Sequence, residues 1–248
     1  MSNIQNPENK KLSDFKVLNF DVYGTLIDWE SGVIDGIEPL LNRSNETSRW
    51  TRREKLDAFE GRIGASTPAP RYDLLRYTCK HAQGSRGKVR SRKYPELDQA
   101  FGQSIRNWRP FPDTCTALAK LSKYYKLAIL SNVDNETFKH TVQKLESEGA
   151  KFSQIVTAQD VGSYKPDERN FLYALKEIKK NFGIEKEEVL VTAQSLFHDH
   201  APANNLGLKS SWIARENVTI GRNSPASYTF KFVTLGAMAD AAEAEFEK

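Results

Sequence analysis

A chain of 248 residues with 39% hydrophobic, 10% aromatic and 27% charged residues has the composition of a globular protein of one to two domains, long enough to bury its own core. Lys and Arg number 36 against 32 Asp and Glu, a net charge of +4, which suits small anionic ligands and is too even for a nucleic-acid footprint. No apolar run approaches the roughly 18 residues of a membrane span, the polar opening MSNIQNPENKK is no secretory signal, and two cysteines without partner spacing, Cys79 and Cys115, point to a reducing, cytoplasmic home.

In chain order, the first strand is KVLNFD, residues 16–21, a short apolar run of the kind buried on both faces. Residues 29–109 carry no convincing strand. TRREKLDAFEGRI, PRYDLLRYTCKHA and YPELDQAFGQSIRNW are helical patterns, and the interval reads as a helical cap inserted after the first strand, hinged near residues 27–32 and at WRPFPDT. Its basic run, with Arg86, Lys88, Arg90, Arg92 and Lys93, reads as a solvated loop. Strands resume at KLAILSN (126–132), QIVTAQD (154–160), EVLVTAQS (188–195), SSWIAR (210–215) and TFKFVT (229–234). Helical patterns at 136–148 and 168–182 lie between them, and an Ala-rich acidic helix closes the chain. Strands alternating with helices predict an α/β fold: a Rossmann-like, doubly wound parallel sheet made of residues 1–28 and 110–248, with 29–109 as the cap.

Ligands of open α/β sheets bind beyond the carboxyl ends of the strands. Reactive side chains fall just past four of the runs: Asp21, Tyr23 and Thr25 in DVYGTL; Ser131 and Asn132; Asp160 and then Lys165 in DVGSYKPD; Gln194, Ser195 and Asp199 in TAQSLFHDH. Singly, Asp21 could cap a turn, Ser131 and Asn132 could end a strand, and Lys165 could be a solvated loop lysine. Their convergence on one edge, with Gly24 allowing a tight turn after Asp21, favours a functional site.

FDVYGTL, ILSN, YKPD and the acidic segment around Asp199, in that order, resemble the four motifs of the haloacid dehalogenase (HAD) superfamily over about residues 16–215. The resemblance implies a Rossmann-like core with a cap between the first two motifs and Asp21 as a covalent nucleophile, with Thr25 in the catalytic set. It also implies that Ser131 and Asn132 hold the substrate's anionic group, and that Lys165 keeps Asp21 ionised. HAD phosphatases carry an aspartate two residues after the nucleophile to protonate a departing alkoxide. Tyr23, with an ordinary pKa of about 10, is a poor substitute, whereas a halide leaves without a proton, and tyrosine here is similar to the L-2-haloacid dehalogenase family. Gln194 stands where phosphatases place an acidic Mg²⁺ ligand. The resemblance therefore implies no cofactor beyond a weakened Mg²⁺ site, with Asp199 orienting or activating the hydrolytic water.

The implied reaction is a double displacement. Asp21 expels halide from a small 2-haloalkanoic acid, and water then releases a 2-hydroxy acid from the aspartyl ester. Tyr23 and Gln194 are placed beside the substrate. Of Arg49, Arg52 and Arg53, the spacing of 31 residues from Asp21 favours Arg52 as the halide-binding cap arginine. The expected partner is a small anionic carboxylic acid, with no nucleic acid and no membrane, and the resemblance adds a homodimer. The chain departs from the family where Gln194 and Leu196 replace Ser and Asn, and where Phe171 replaces a tyrosine six residues after the lysine. His198 and His200 flank Asp199, so at most one faces the site; His200 is assigned to substrate binding, and either could serve as base for the water. His81 and His140 read as surface residues. The alternatives are a Mg²⁺-dependent HAD phosphatase for a small organic phosphate, or a binding protein that kept the fold without turnover.

Overall fold

The first apolar run forms β1 (Val17–Phe20), buried along its whole length because neighbouring strands and helix-covered faces leave it no water. In this computed structural model residues 9–42, 47–59 and 95–248 are described. Cys79, His81, the basic run at 86–93 and the helical pattern at 70–82 lie outside them. The chain divides into two compact units, Met1–Asp28 with Pro110–Lys248, and Trp29–Arg109.

The first unit holds a six-stranded sheet in the order β3-β2-β1-β4-β5-β6. Its further strands are β2 (Lys126–Ser131), β3 (Phe152–Thr157), β4 (Val189–Ala193), β5 (Lys209–Ile213) and β6 (Phe230–Phe232). Every pairing is parallel. The order runs outward in both directions from β1 and β4, so the carboxyl ends of β1, β2 and β4 lie side by side at the topological switch point. Helices α4 (Thr114–Leu121), α5 (Asn135–Leu145), α7 (Arg169–Phe182), the short α8 (Ala201–Asn205) and α9 (Leu235–Phe246) supply crossovers and close the chain. The packing of α7 shows why they form: Phe171, Ala174 and Ile178 recur at helical spacing and are buried, the first two against Leu130, Val156 and Val191 of three strands. Asp134 caps α5 by accepting from the Thr137 amide, and Thr234 caps α9.

Two readings change. The third run does not end in a strand at Asp160: β3 stops at Thr157, whose hydroxyl accepts from the Asp160 amide while the Asp160 carboxylate accepts from the Thr157 amide. This capping box opens the short helix α6 (Ala158–Val161) and leaves Asp160 exposed, away from the reactive groups. Helix α4 and, in the second unit, α1 (Trp29–Leu41) had no predicted counterpart. Two glycines and Pro39 inside α1 mask its periodicity.

In the second unit α1 packs with α2 (Arg52–Phe59) and α3 (Pro95–Ser104), the Phe59 ring lying 6.0 Å from Trp29 and 5.9 Å from Phe101. No helix among the described residues is long and apolar enough to cross a membrane.

Candidate active site

Asp21 leaves β1 into a tight turn in which the amides of Thr25, Leu26 and Ile27 all donate to the Val22 carbonyl. Gly24 at φ 99° takes the left-handed backbone this turn requires. The turn folds the Thr25 hydroxyl back onto Asp21, to whose Oδ2 it donates at 2.7 Å, and the same hydroxyl accepts from the Gln194 amide at 2.9 Å. Asp21 is thereby tied to the end of β4.

The other carboxylate oxygen faces Lys165. Its ammonium donates to Asp21 Oδ1 at 2.8 Å, Asp199 Oδ1 at 2.6 Å and the Leu130 carbonyl at 2.9 Å, so all three N–H groups are used. Lys165 is 3% exposed. Burial by itself would pull its pKa down, but Asp199 and Asp21 outweigh it and the net shift is upward, holding the charge. Burial, opposed by the attraction of Lys165 and reinforced by the Asp21 charge, raises the Asp199 carboxyl above the ordinary carboxylate value. A carboxylate made more basic in this way is better able to take up a proton from water and return it.

Asp199 comes from a π-helical turn, Leu196–His200, that follows β4, a local irregularity of the sort that re-aims side chains at functional sites. Its Oδ2 is buried and has no hydrogen-bond partner, as is the Ser131 hydroxyl. Two buried polar atoms beside an ammonium-bridged carboxylate pair call for a ligand or water.

The remaining expected site residues fall as follows. Asn132 accepts from the Lys165 amide through its carbonyl oxygen at 2.8 Å and donates to the Lys165 carbonyl at 3.0 Å. It acts as a strut for the lysine loop, with one amide N–H to spare for an anion. Tyr23 bonds Thr141 at 3.1 Å and burial pushes its phenol well above the ordinary value, so it is an even poorer acid than a free tyrosine. The Gln194 side chain donates to the Ile220 carbonyl, and its backbone carbonyl accepts from the Trp212 indole. Arg52 pairs inside the second unit with the buried Glu30 and with Ser31. His200 corrects an expectation: it is fully buried, with Nδ1 on the Ser210 hydroxyl and Nε2 on the Ala193 carbonyl. Neither nitrogen is left for a substrate, and burial lowers its pKa to about 4. His198 is half-buried, its Nδ1 3.1 Å from the Ser195 hydroxyl, and burial and the Lys165 charge lower its pKa from the ordinary imidazole value.

Among the described residues no group of three or more His, Cys, Asp or Glu side chains could hold a metal ion. The donor set also fits Mg²⁺ poorly, since an ammonium already bridges the two carboxylates and the neutral Gln194 is turned to a loop carbonyl.

Sequence reading missed Thr141, Asp113 and Arg215. Arg215 was within reach, for it directly follows a fifth apolar run. Thr141 lies on a helix face and Asp113 in a connection, where spacing carries no sign of the site.

A family model described as haloacid dehalogenase-like hydrolase matches residues 18–213. The (S)-2-haloacid dehalogenase of Pseudomonas putida is 30% identical over 204 residues, 80% of this chain and 84% of that protein; that of Pseudomonas fluorescens is equally similar. Among solved structures, the L-2-haloacid dehalogenase from Xanthobacter autotrophicus with chloropropionic acid covalently bound has a TM-score of 0.63 at 20% identity, covering 92% of this chain and 98% of the other. A magnesium-bound HAD hydrolase from Bacillus subtilis has 0.65 at 18%, covering 94% and 99%. At such identities the likeness in structure is one of fold.

Proposed function

This chain belongs to the haloacid dehalogenase-like hydrolases, and from that premise we propose that it is a 2-haloacid dehalogenase acting on a small 2-haloalkanoic acid. The observation that carries the reading is the Lys165 ammonium bridging Asp21 and Asp199 beside a partly buried Tyr23, a poor proton donor, at the position where a phosphatase would carry an acid. In the first displacement such a site can expel a leaving group that departs as a stable anion, and it is ill suited to one that must be protonated as it leaves.

An oxygen of Asp21 attacks C2 from the side opposite the halogen, the C–X bond breaks, and the halide leaves with the electron pair. The product is an aspartyl ester inverted at C2. Lys165 holds Asp21 in place and offsets charge as it shifts; the Ser131 hydroxyl and the free Asn132 N–H receive the substrate carboxylate. Water then attacks the Asp21 carboxyl carbon and gives its proton to Asp199. The acyl–oxygen bond breaks, and the protonated Asp199 returns that proton to the departing alkoxide so that the 2-hydroxy acid leaves. Asp21 loses the proton of the added hydroxyl to solvent and is restored as the carboxylate. No cofactor is needed, because the halide leaves without a proton, Asp199 shuttles the proton of the hydrolytic step, and the ammonium supplies the positive charge. Thr25 fixes the attacking carboxylate, and Tyr23 and Gln194 wall the site. On this reading the second unit serves as a cap whose Arg52 receives the halide. A cytosolic setting and a homodimer go with it, the latter tested by light scattering.

The test is halide release from 2-chloropropionate beside an Asp21→Asn control, with the Asp21 peptide weighed after acid quench. Release by the native protein, a quenched adduct on Asp21 and none in the variant support the assignment. Normal turnover by Asp21→Asn, or release only of inorganic phosphate from phosphate esters with added Mg²⁺, overturns it.

A further inference from the structure

Arg215 follows directly on β5 and is 4% exposed. Its Nε and Nη2 both donate to the Thr25 carbonyl, at 3.1 and 3.0 Å. Nη1 donates to Asp113 Oδ1 at 2.5 Å, Nη2 also reaches the Thr114 hydroxyl at 3.3 Å, and the guanidinium lies 4.2 Å over the Phe111 ring. Asp113 is held in turn, its Oδ2 accepting from the Gly236 amide in the first turn of α9. The next carbonyl of the turn, Leu26, accepts from the Phe111 amide and the Thr114 hydroxyl. Two successive carbonyls of the nucleophile turn are therefore anchored on residues 111–114, and Arg215 makes the link for the first of them.

Thr25 is the residue where this anchorage meets the chemistry. Its amide is tied to Val22, its hydroxyl to Asp21 and Gln194, and its carbonyl to Arg215. Asp21 has one oxygen on Lys165 and one on Thr25, so the plane of its carboxylate is set by how firmly Thr25 is held. In-line displacement needs that plane fixed while the reacting atoms lie roughly 3–3.5 Å apart.

We infer that Arg215 is a positioning residue for the reaction: by forking the Thr25 carbonyl it fixes the turn whose hydroxyl orients the Asp21 carboxylate for attack. The inference rests on Asp21 being the attacking group. A planar fork suits the task because two N–H groups on one oxygen resist rotation, whereas a lysine at this place would keep the charge opposite Asp113 but offer a single swivelling donor.

The experiment compares the native protein with Arg215→Lys and Asp113→Asn. It reads steady-state halide release from 2-chloropropionate, melting temperature, and amide hydrogen exchange of the peptide spanning residues 21–27. For Arg215→Lys the expected result is kcat down about tenfold or more, KM within about twofold, and faster exchange confined to residues 21–27. Asp113→Asn, which loosens the guanidinium without removing it, is expected to lower kcat by about threefold, and it carries the test if Arg215→Lys does not fold. A lowered melting temperature with kcat unchanged, or a rise in KM with kcat unchanged, overturns the inference and leaves Arg215 a structural residue. If the native protein releases no halide, the proposed function has failed and exchange decides instead: unchanged exchange at residues 21–27 then overturns the inference, and faster exchange there sustains the anchoring it describes.

Discussion

Lys165 sets the electrostatics of the site through a single ammonium. With its three donors on Asp21, Asp199 and the Leu130 carbonyl, replacement by glutamine leaves the buried Asp199 and the partly buried Asp21 carboxylates close together without a counter-charge, an arrangement in which one must take up a proton. Lys165→Gln is expected to lose at least about a thousandfold in kcat, a drop of roughly 4 kcal/mol in transition-state stabilisation, read as halide release; activity within tenfold of native would remove Lys165 from the mechanism. His200 gives a residue-scale prediction about stability. Its ring is neutral in the fold, with a pKa lowered to about 4 by burial, against about 6.5 when unfolded. The unfolded chain therefore binds the extra proton between those values, and the stability due to a neutral His200 is full above about pH 6.5 and declines as pH falls toward 4. At roughly 1.4 kcal/mol per pH unit the decline amounts to about 3 kcal/mol. Asp199, raised by the same burial, titrates with the opposite sign nearby, so the quantity to measure is the difference in urea stability between native protein and His200→Gln. That difference should shrink on acidification, and a pH-independent difference would contradict the assignment.

At the scale of elements, the strands were legible because burial on both faces demands an apolar run whatever surrounds it, and β1, β2 and β4 lie inside the predicted segments. The ends of those runs also pointed to Asp21, Lys165 and Asp199. The role of Asp160 was misread because a Thr–x–x–Asp capping box looks the same as a strand running on into an acidic residue. The segment at residues 216–228 was not legible at all, since its contribution is made by main-chain groups: the Ile220 carbonyl takes the Gln194 side chain and the Gly221 carbonyl takes the Leu196 amide. Backbone carbonyls are common to every residue and leave no mark in composition. Gly221, at φ +85°, is the exception, for a Cβ there would stand 2.7 Å from the Ser195 hydroxyl, the atom that caps the π-helical turn bearing Asp199. Gly221→Ala is therefore expected to cost about 1–2 kcal/mol in stability from strain and to lower kcat about tenfold by shifting that turn. Chemical denaturation and kinetics check the two together; a native-like kcat would mean that the turn holds without this loop.

For the molecule as a whole, the question is whether the unit containing the sheet depends on residues 29–109 to fold. The chain leaves and re-enters that unit at neighbouring points: Ile27 pairs with Pro110 in an antiparallel bridge, and the Phe111 amide donates to the Leu26 carbonyl at 3.0 Å. All six strands, the Lys165 bridge and the Arg215 anchorage belong to Met1–Asp28 and Pro110–Lys248, a length sufficient for an independent core. A short Gly-Ser linker can join Asp28 to Pro110 at little entropic cost, because the ends it spans are already close. The shortened protein is expected to keep its α/β circular dichroism and to unfold cooperatively in urea, while halide release falls at least a hundredfold with the loss of Arg52 and of the water-excluding cap proposed for this unit. If it fails to fold, the insertion is part of the core's stability and not an accessory to it. If it folds and turns over like the native chain, the cap assignment and the part given to Arg52 both fall, while the Asp21 mechanism, which uses only residues of the first unit, stands unchanged.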